Sequence, residues 1–427
     1  MHLYQKRAIL DGAEAEIFKL LSYGATPEQW ADWLRAPLEH AVARGNLDLV
    51  NRLLEAGACG RAGWRGCRGR TLIDAATLGG NPDVVSALLR TGCRPDVNVV
   101  SVSSRRSALH VAVACGQDTV AKTLIMAGAD VDLVDPHVGG GPLHIAARGG
   151  QEQLARDLLI GGASPNTVDE DECTPLHIAA FLGHDIIVSV LLVSNVTYKD
   201  AVRCDGKTSL IIACMEGHLS TVCTLLAAGA DATLRDVDDT SALDLAASSG
   251  HASIMTALLK HEVGVHATGL DCFTALHHAA ESGCAVAVDM LLDGGANVGA
   301  KTTSGKTPLH HVGNLQTTLA LLRRGAKINE PDHRGATVLN GICTYDLWCG
   351  AAAVVDLLLR WGASETAVDG DGNTPADCLE TNALRGSCMG HELGLVRALL
   401  ARAPADRVWR RRCWVVMLRS RAEKERA

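Results

Sequence analysis

Apolar residues in this chain gather in short runs at helical spacing, set between polar, glycine-containing stretches, and the runs come in pairs at a nearly constant interval. The most regular copy opens at Thr174-Pro175-Leu176-His177, passes through Ala179-Ala180 to Gly183, and then presents Ile187, Val188, Leu191 and Leu192. Two short helices separated by a tight turn account for that pattern. Equivalent openings stand at Ser107, Gly141, Thr174, Thr208, Ser241, Thr274 and Thr307, at steps of 34, 33, 34, 33, 33 and 33 residues. They lead into common downstream signals: Ala at +5, Gly at +9, Leu-Leu or Leu-Ile at +17 and +18, and often Gly-Ala at +21.

The residue types suit the pattern. Thr174 is a good helix N-cap, because its hydroxyl accepts from free amides of the first turn. Pro175 at the next position loses no hydrogen bond and arrives with its φ set. Ala179 and Ala180 let neighbouring helices approach closely, and Gly183 supplies the left-handed residue that stops the first helix. A second helix then carries the Leu pair, and Gly-Ala, as in Gly229-Ala230, ends it and starts an extended hairpin. A unit of this length reading T-P-L-H-x-A-A resembles the ankyrin repeat family. The resemblance implies an all-α repeat solenoid of helix-turn-helix units joined by β-hairpin-like loops, in which no unit buries its apolar face alone. With helix axes about 8–10 Å apart, the full set of units would make one elongated domain about 100 Å long.

The outer copies are less regular. Ala36-Pro37-Leu38 runs to Leu53-Leu54, and Arg70-Thr71-Leu72 runs to Leu88-Leu89 with one extra residue near Gly80. Gly12, Leu20-Leu21 and Gly24-Ala25 look like half a repeat. Downstream, Thr307 reaches Leu321 in only 14 residues, whereas Thr337 reaches Leu358 in 21 and Thr374 reaches Leu399 in 25. The expected organisation is therefore a partial repeat or capping segment at 1–35, about eleven repeats at 36–404, and a basic, Trp-containing cap or tail at 405–427.

Composition agrees with thin stacked helices: aromatics are 3% of the chain while 47% is hydrophobic. Fifteen cysteines include no C-x-x-C pair, and Cys214 stands where other copies have Ala. That reads as free thiols in a reducing compartment rather than a disulfide framework. The basic N-terminal start is followed by no apolar core, and no run approaches 18 apolar residues, so neither a signal peptide nor a membrane span is expected. A cytoplasmic monomer is the expectation, with nuclear import through the tail as an alternative.

Several segments imitate catalytic or ligand motifs. Gly299 to Thr307 invites a phosphate-loop reading, but five residues separate its glycines where four are needed, and Pro308 follows at once. His261 and His266 imitate a zinc-protease helix, yet a spacing of five puts them off one helical face. In His277-His278 and His310-His311 the first member is the repeat's ordinary histidine, which the family resemblance makes a buried hydrogen-bonding residue near the cap. No catalytic residue, metal or cofactor is expected, and the chain reads as not an enzyme.

What remains is surface. From Asn166 to Ala300 there are 18 acidic residues against 5 Lys or Arg, a net of −13 in a chain whose total is −8. Its hairpin tips carry Asp169, Glu170 and Asp171, then Asp236, Asp238 and Asp239. The plain reading is a solvated turn, since Asp makes local turn hydrogen bonds; the sharper one is a basic protein partner steered onto this face. Two basic segments flank the stretch. One is a loop with Arg61, Arg65, Arg68 and Arg70 interleaved with Trp64 and glycines, a composition that can contact phosphates or stack on bases. The other is the tail, where Trp409, Arg410, Arg411, Arg412 and Trp414 read as a capping helix, a membrane-surface helix or a partner-binding helix. The leading expectation is a non-catalytic scaffold or adaptor holding a protein or peptide on an acidic concave face, with no specific nucleic acid. The alternative is a peripheral membrane or anionic-ligand-binding protein using the tail, and a third is a recruiting subunit of an enzyme complex.

Overall fold

The computed structural model describes residues 38–55, 71–90, 96–101, 105–136, 139–194, 196–261, 263–344, 348–384 and 391–403. They belong to two compact units, Met1–Ser209 and Leu210–Ala427. Among the described residues the regular structure is helical, with isolated antiparallel bridges Val202–Thr208, Arg235–Ser241 and Thr268–Thr274 where hairpins close.

Local chemistry builds each helix pair as the sequence predicts. Thr174 is extended at φ −80° and ψ 164°, and its side chain caps Pro175–Leu182. Gly183 closes that helix at φ 70°, a left-handed conformation that costs a residue with a Cβ about 1 kcal/mol or more. The chain then enters Asp185–Val193, whose Ile187, Val188 and Leu191 are buried. Leu192 differs from its neighbour: Leu191 is fully buried, but Leu192 is only half-buried, because one residue along a helix turns the side chain about 100° away from the core face.

In the first unit the first helices 38–43, Leu72–Gly79, Ala108–Ala114, Pro142–Gly149 and Pro175–Leu182 form one layer. The second helices Leu47–Glu55, Pro82–Arg90, Asp118–Met126, Glu152–Ile160 and Asp185–Val193 form the other. Each layer packs neighbour on neighbour, so the core is a continuous seam of small and branched residues such as Ala112, Val113, Ala146, Ala147, Ala179 and Ala180. Packing is close enough that a Cβ on Gly79 would meet the Val42 carbonyl oxygen at 2.9 Å.

The second unit repeats the scheme from Leu219–Ala227 and Ala242–Ser248 onward, with the free thiol of Cys214 fully buried where other copies place alanine. Its irregularities fall where the intervals are irregular. The opening at Thr307 leads only to a 3-10 turn, Pro308–His311, before Asn314 caps Leu315–Arg323. Gly313 compensates for the missing turn: its amide donates to the Ala280 carbonyl at 2.9 Å, an approach that leaves no room for a Cβ. Beyond it, Val338–Thr344 and Ala351–Arg360 are followed by Pro375–Leu384 and a helix at 391–403. Glu392 from that last helix accepts from the amides of Gly350 and Ala352 at 3.2 and 3.0 Å, capping a helix of the preceding pair, and those amides hold its carboxyl below the usual range.

Two expectations follow. Leu191→Ala should cost about 2–5 kcal/mol, Leu192→Ala about 1–2 kcal/mol and Thr174→Ala about 1 kcal/mol, in that order of denaturation midpoints; a cap substitution costlier than Leu191→Ala would mean the register is wrong. Hydrogen exchange should find the weakest protection between Thr307 and Trp361, where the 3-10 turn and the long connection reduce nearest-neighbour stacking. Protection there equal to that of Pro175–Val193 would contradict this.

Candidate partner-binding surface

The surface begins at a box three residues inside each first helix. Thr174 N–H donates to His177 Nδ1 at 3.1 Å, the Thr174 hydroxyl meets the same nitrogen at 2.9 Å, and His177 Nε2 reaches the Ala201 carbonyl at 2.9 Å. An acceptor at Nδ1 and a donor at Nε2 assign the neutral Nε2–H tautomer. The same three contacts recur at His110, whose Nε2 lies 2.7 Å from Leu133 O, and at His277, 3.3 Å from Lys306 O; at His144, whose cap is Gly141, the hydroxyl is absent but the Gly141 amide at 3.1 Å and Cys173 O at 3.1 Å remain. Each ring thus ties a helix cap to the hairpin that leads into the following repeat. Elsewhere the position is filled by Asp74, Asp244 and Asp377, which accept from the amides of their own caps. Asn340 does both, accepting from Thr337 and donating to Ala367 and Asn373.

Hairpin tips follow a second rule. The amide of the first tip residue donates to the carbonyl four residues on, and the amide three residues on donates back. Asp169 to Cys173, Arg203 to Lys207, Asp236 to Thr240, Thr302 to Lys306, Asp332 to Ala336 and Asp369 to Asn373 are all built so. The fourth residue is left-handed. It is glycine at Gly206, Gly305, Gly335 and Gly372, but Glu172 (φ 58°), Asp239 (φ 55°) and Cys272 (φ 58°) occupy it elsewhere.

Of the six tip carboxylates expected to meet a partner, two are consumed by their own turns. Asp169 Oδ1 accepts from Asp171 and Cys173 amides at 3.0 and 2.8 Å. Asp236 Oδ1 accepts from Asp238 and Thr240 at 3.1 and 2.8 Å, and the residue is 8% exposed. Glu170, Asp171 and Asp238 are exposed. Asp239 is half-buried, with Arg235 Nε 3.7 Å from its carboxylate. Glu172, overlooked as a site residue, is exposed beside them; its position three residues after a turn-initiating Asp, where other copies have glycine, is the signal that could have found it.

The imitated motifs resolve into repeat parts. Thr307 is an N-cap and Lys306 gives its carbonyl to His277, so the Gly299–Thr307 segment is a hairpin. The helix Ala252–Lys260 ends before His261, which separates that histidine from His266. Among the described residues no cluster of three His, Cys, Asp or Glu is placed to hold a metal ion, and no helix is long and apolar enough to cross a membrane. Burial pushes the Cys343 thiol up to about 12 and the Cys214 thiol up as well, leaving both as packing groups rather than nucleophiles. The Arg-Gly loop with Arg61, Arg65, Arg68 and Arg70, and the tail with Trp409, Arg410, Arg411, Arg412 and Trp414, lie outside the described residues.

A family description reading "Ankyrin repeats (3 copies)" matches residues 38–135, 143–236, 225–302 and 243–332, together more than half of the chain. Among solved structures, the ankyrin repeat domain of Bcl-3, a member of the IkappaB protein family, is 28% identical; the match covers 50% of this chain and 97% of that one, with a TM-score of 0.47.

The histidine boxes predict a pH dependence. Burial holds His110, His144, His177 and His310 below the ordinary 6.5, and His277 at about 4. The folded state therefore binds fewer protons than the unfolded one, so this stability is fully present above about pH 6.5 and is lost as pH falls toward about 4. Urea midpoints should drop across that window. His177→Asn, which copies the Asn340 box, should keep folding and flatten the slope; an unchanged slope would refute the tautomer assignment.

Proposed function

We propose that this chain, which belongs to the ankyrin repeat family, is a non-catalytic scaffold or adaptor that receives a basic protein segment on its acidic hairpin tips. Ankyrin repeats are protein–protein interaction modules, and their function lies in what the surface of each array presents. The observation that carries the reading is Glu172 and Asp239 in left-handed backbone at turn positions where Gly206, Gly305, Gly335 and Gly372 stand in other repeats. Strain of about 1 kcal/mol or more at such a residue persists where the side chain has a use. The Glu172 side chain is exposed, and the Asp239 carboxylate has the long approach to Arg235 Nε at 3.7 Å, while Arg235 Nη1 donates to the Asp239 carbonyl.

The division of labour follows. Asp169 and Asp236 hold the turns; Glu170, Asp171 and Glu172 on one tip, and Asp238 and Asp239 on another, present charge. A cytoplasmic, monomeric adaptor fits this reading.

Exposed tip charges contribute little to stability, so their neutralisation leaves folding unchanged. Glu170→Gln, Asp171→Asn, Asp238→Asn and Asp239→Asn together should slow association and flatten its salt dependence, because rim charges mainly set the on-rate. The measurement is a bead pull-down from lysate across a salt series, followed by association kinetics with the captured protein and by liposome flotation of the full chain. A partner indifferent to salt and to the four substitutions would refute the acidic-tip reading. Liposome binding lost on deleting 405–427 would move the function to the tail.

A further inference from the structure

Two histidine pairs, His277-His278 and His310-His311, stand in consecutive repeats of the second unit. The first member of each is the box residue. The second is a departure from the pattern: at the corresponding position earlier repeats place Val111, Ile145, Ile178, Ile212 and Leu245. The fold brings the two pairs together. Phe273, just before the Thr274 cap, has its ring centroid 5.1 Å from His277, 5.4 Å from His278 and 4.8 Å from His311. The His277 and His311 rings themselves meet edge to face at 5.8 Å. This cluster joins Ala275–Glu281 to the shortened element Pro308–His311.

The rings fit here only while neutral. His277 Nδ1 accepts from the Thr274 amide at 3.2 Å and its Nε2 lies 3.3 Å from the Lys306 carbonyl, so a proton added at Nδ1 would face an N–H. His310 Nδ1 is committed in the same way to the Thr307 amide at 3.1 Å. His311 Nε2 is buried and makes no hydrogen bond, so a charge on that ring would lack a partner there.

The surroundings offer little compensation. Lys306 sets a positive charge beside His310 and His311. Two carboxylates act on His310, but Asp332 Oδ1 accepts from the amides of Arg334 and Ala336, and Glu330 is paired with Lys301 at 2.6 Å. Asp271, on the hairpin before Phe273, is exposed and accepts from the Thr303 hydroxyl, and Glu281 is exposed at the end of its helix. On the neighbouring helices, Asp244 is held by Ser241 and Arg235, while Asp289 and Asp293 share Arg324. Leu315–Arg323 ends in the cation Arg323, and Val338–Thr344 brings the buried thiol of Cys343. Burial, with the fields of His277 and Lys306 added, holds His311 at about 4, and burial holds His277 at about 4 as well. An imidazole freed from the junction titrates near its ordinary 6.5, so between about pH 6.5 and 4 protons bind the parted form more tightly than the closed one.

We propose that this ring cluster is an acid-opened latch: neutral, it closes the shortened repeat onto the repeat before it, and protonated, it parts Pro308–His311 from Ala275–Glu281 while the helix pairs of the first unit stay closed. Two features confine the opening to this junction. Clustered rings raise one another's cost of charging, so relief comes when the cluster separates. In the first unit His110, His144 and His177 stand one to a repeat beside Val111, Ile145 and Ile178, which do not titrate. The 3-10 turn also supplies less stacking than a full helix, so parting it disturbs few other contacts.

Hydrogen exchange of the full-length chain at about pH 7.5 and about pH 5, corrected for intrinsic rates, is the test. One ring moving from about 4 to 6.5 changes the opening equilibrium about thirtyfold at pH 5, so protection across 273–281 and 308–323 should fall by about tenfold or more. Ala108–Met126 and Pro175–Val193 should change much less. His278→Ile with His311→Ile restores the residue type of the earlier repeats and leaves both caps intact. That chain should fold at neutral pH and respond to acid only as the first-unit boxes do. His311→Gln, uncharged at every pH, should give the same flattening, and the wild-type comparison stands without either variant. An acid response spread evenly over the boxes of both units would overturn the latch. So would equal protection of the junction at both pH values, or folded variants that open with acid as the wild type does.

Discussion

The interaction on which the rest depends is the bond set made by one side chain three residues inside a first helix. His177 closes the cap of its own helix through Nδ1 and reaches the hairpin beyond through Nε2. Helix caps are ordinarily local, but this one is not: the ring spans from a helix start to a carbonyl 24 residues later. A stack of units that cannot bury their own apolar faces needs its hairpins held in register with its helices, and the ring supplies that at small volume. Its chemistry also sets its limits. The three bonds require a neutral imidazole, so the tie exists only in the uncharged ring.

Substitutions at this position grade the tie. Asp74 and Asp244 cap but as carboxylates have no proton to give onward; Asp244 is joined to the hairpin before its own helix, Arg235 Nη1 lying 3.3 Å from the carboxylate. Asn340 restores both functions with an amide. At Ile211 the side chain is apolar and buried. At His310 the cap contacts are complete although the residue stands in a 3-10 turn rather than a helix.

Much of this was legible in the sequence. The T-P-L-H opening and the glycine nine residues on located the helix pairs, because caps and left-handed stops are local chemistry that a few residues determine. The 14-residue interval from Thr307 to Leu321 marked the short repeat. Burial within the second helix was less legible: Leu191 and Leu192 are the same residue type, and only the helical phase tells the core member from the half-buried one. The tips were least legible. Asp169, Asp171, Asp236 and Asp238 look alike along the chain, and their separation into turn-holding and outward-facing groups depends on which amides each oxygen meets.

Exposed carboxylates act over about a Debye length and are screened by salt, so charges of this kind can steer a basic segment more than hold it. On the tips they come with a local departure from the repeat: a carboxylate where glycine is the easy choice at Glu172 and Asp239. A second departure is the 3-10 turn at Pro308–His311, where a helix is the rule. In a protein whose units otherwise resemble one another, such departures are where specificity can reside, because the regular positions are already committed to holding the stack together.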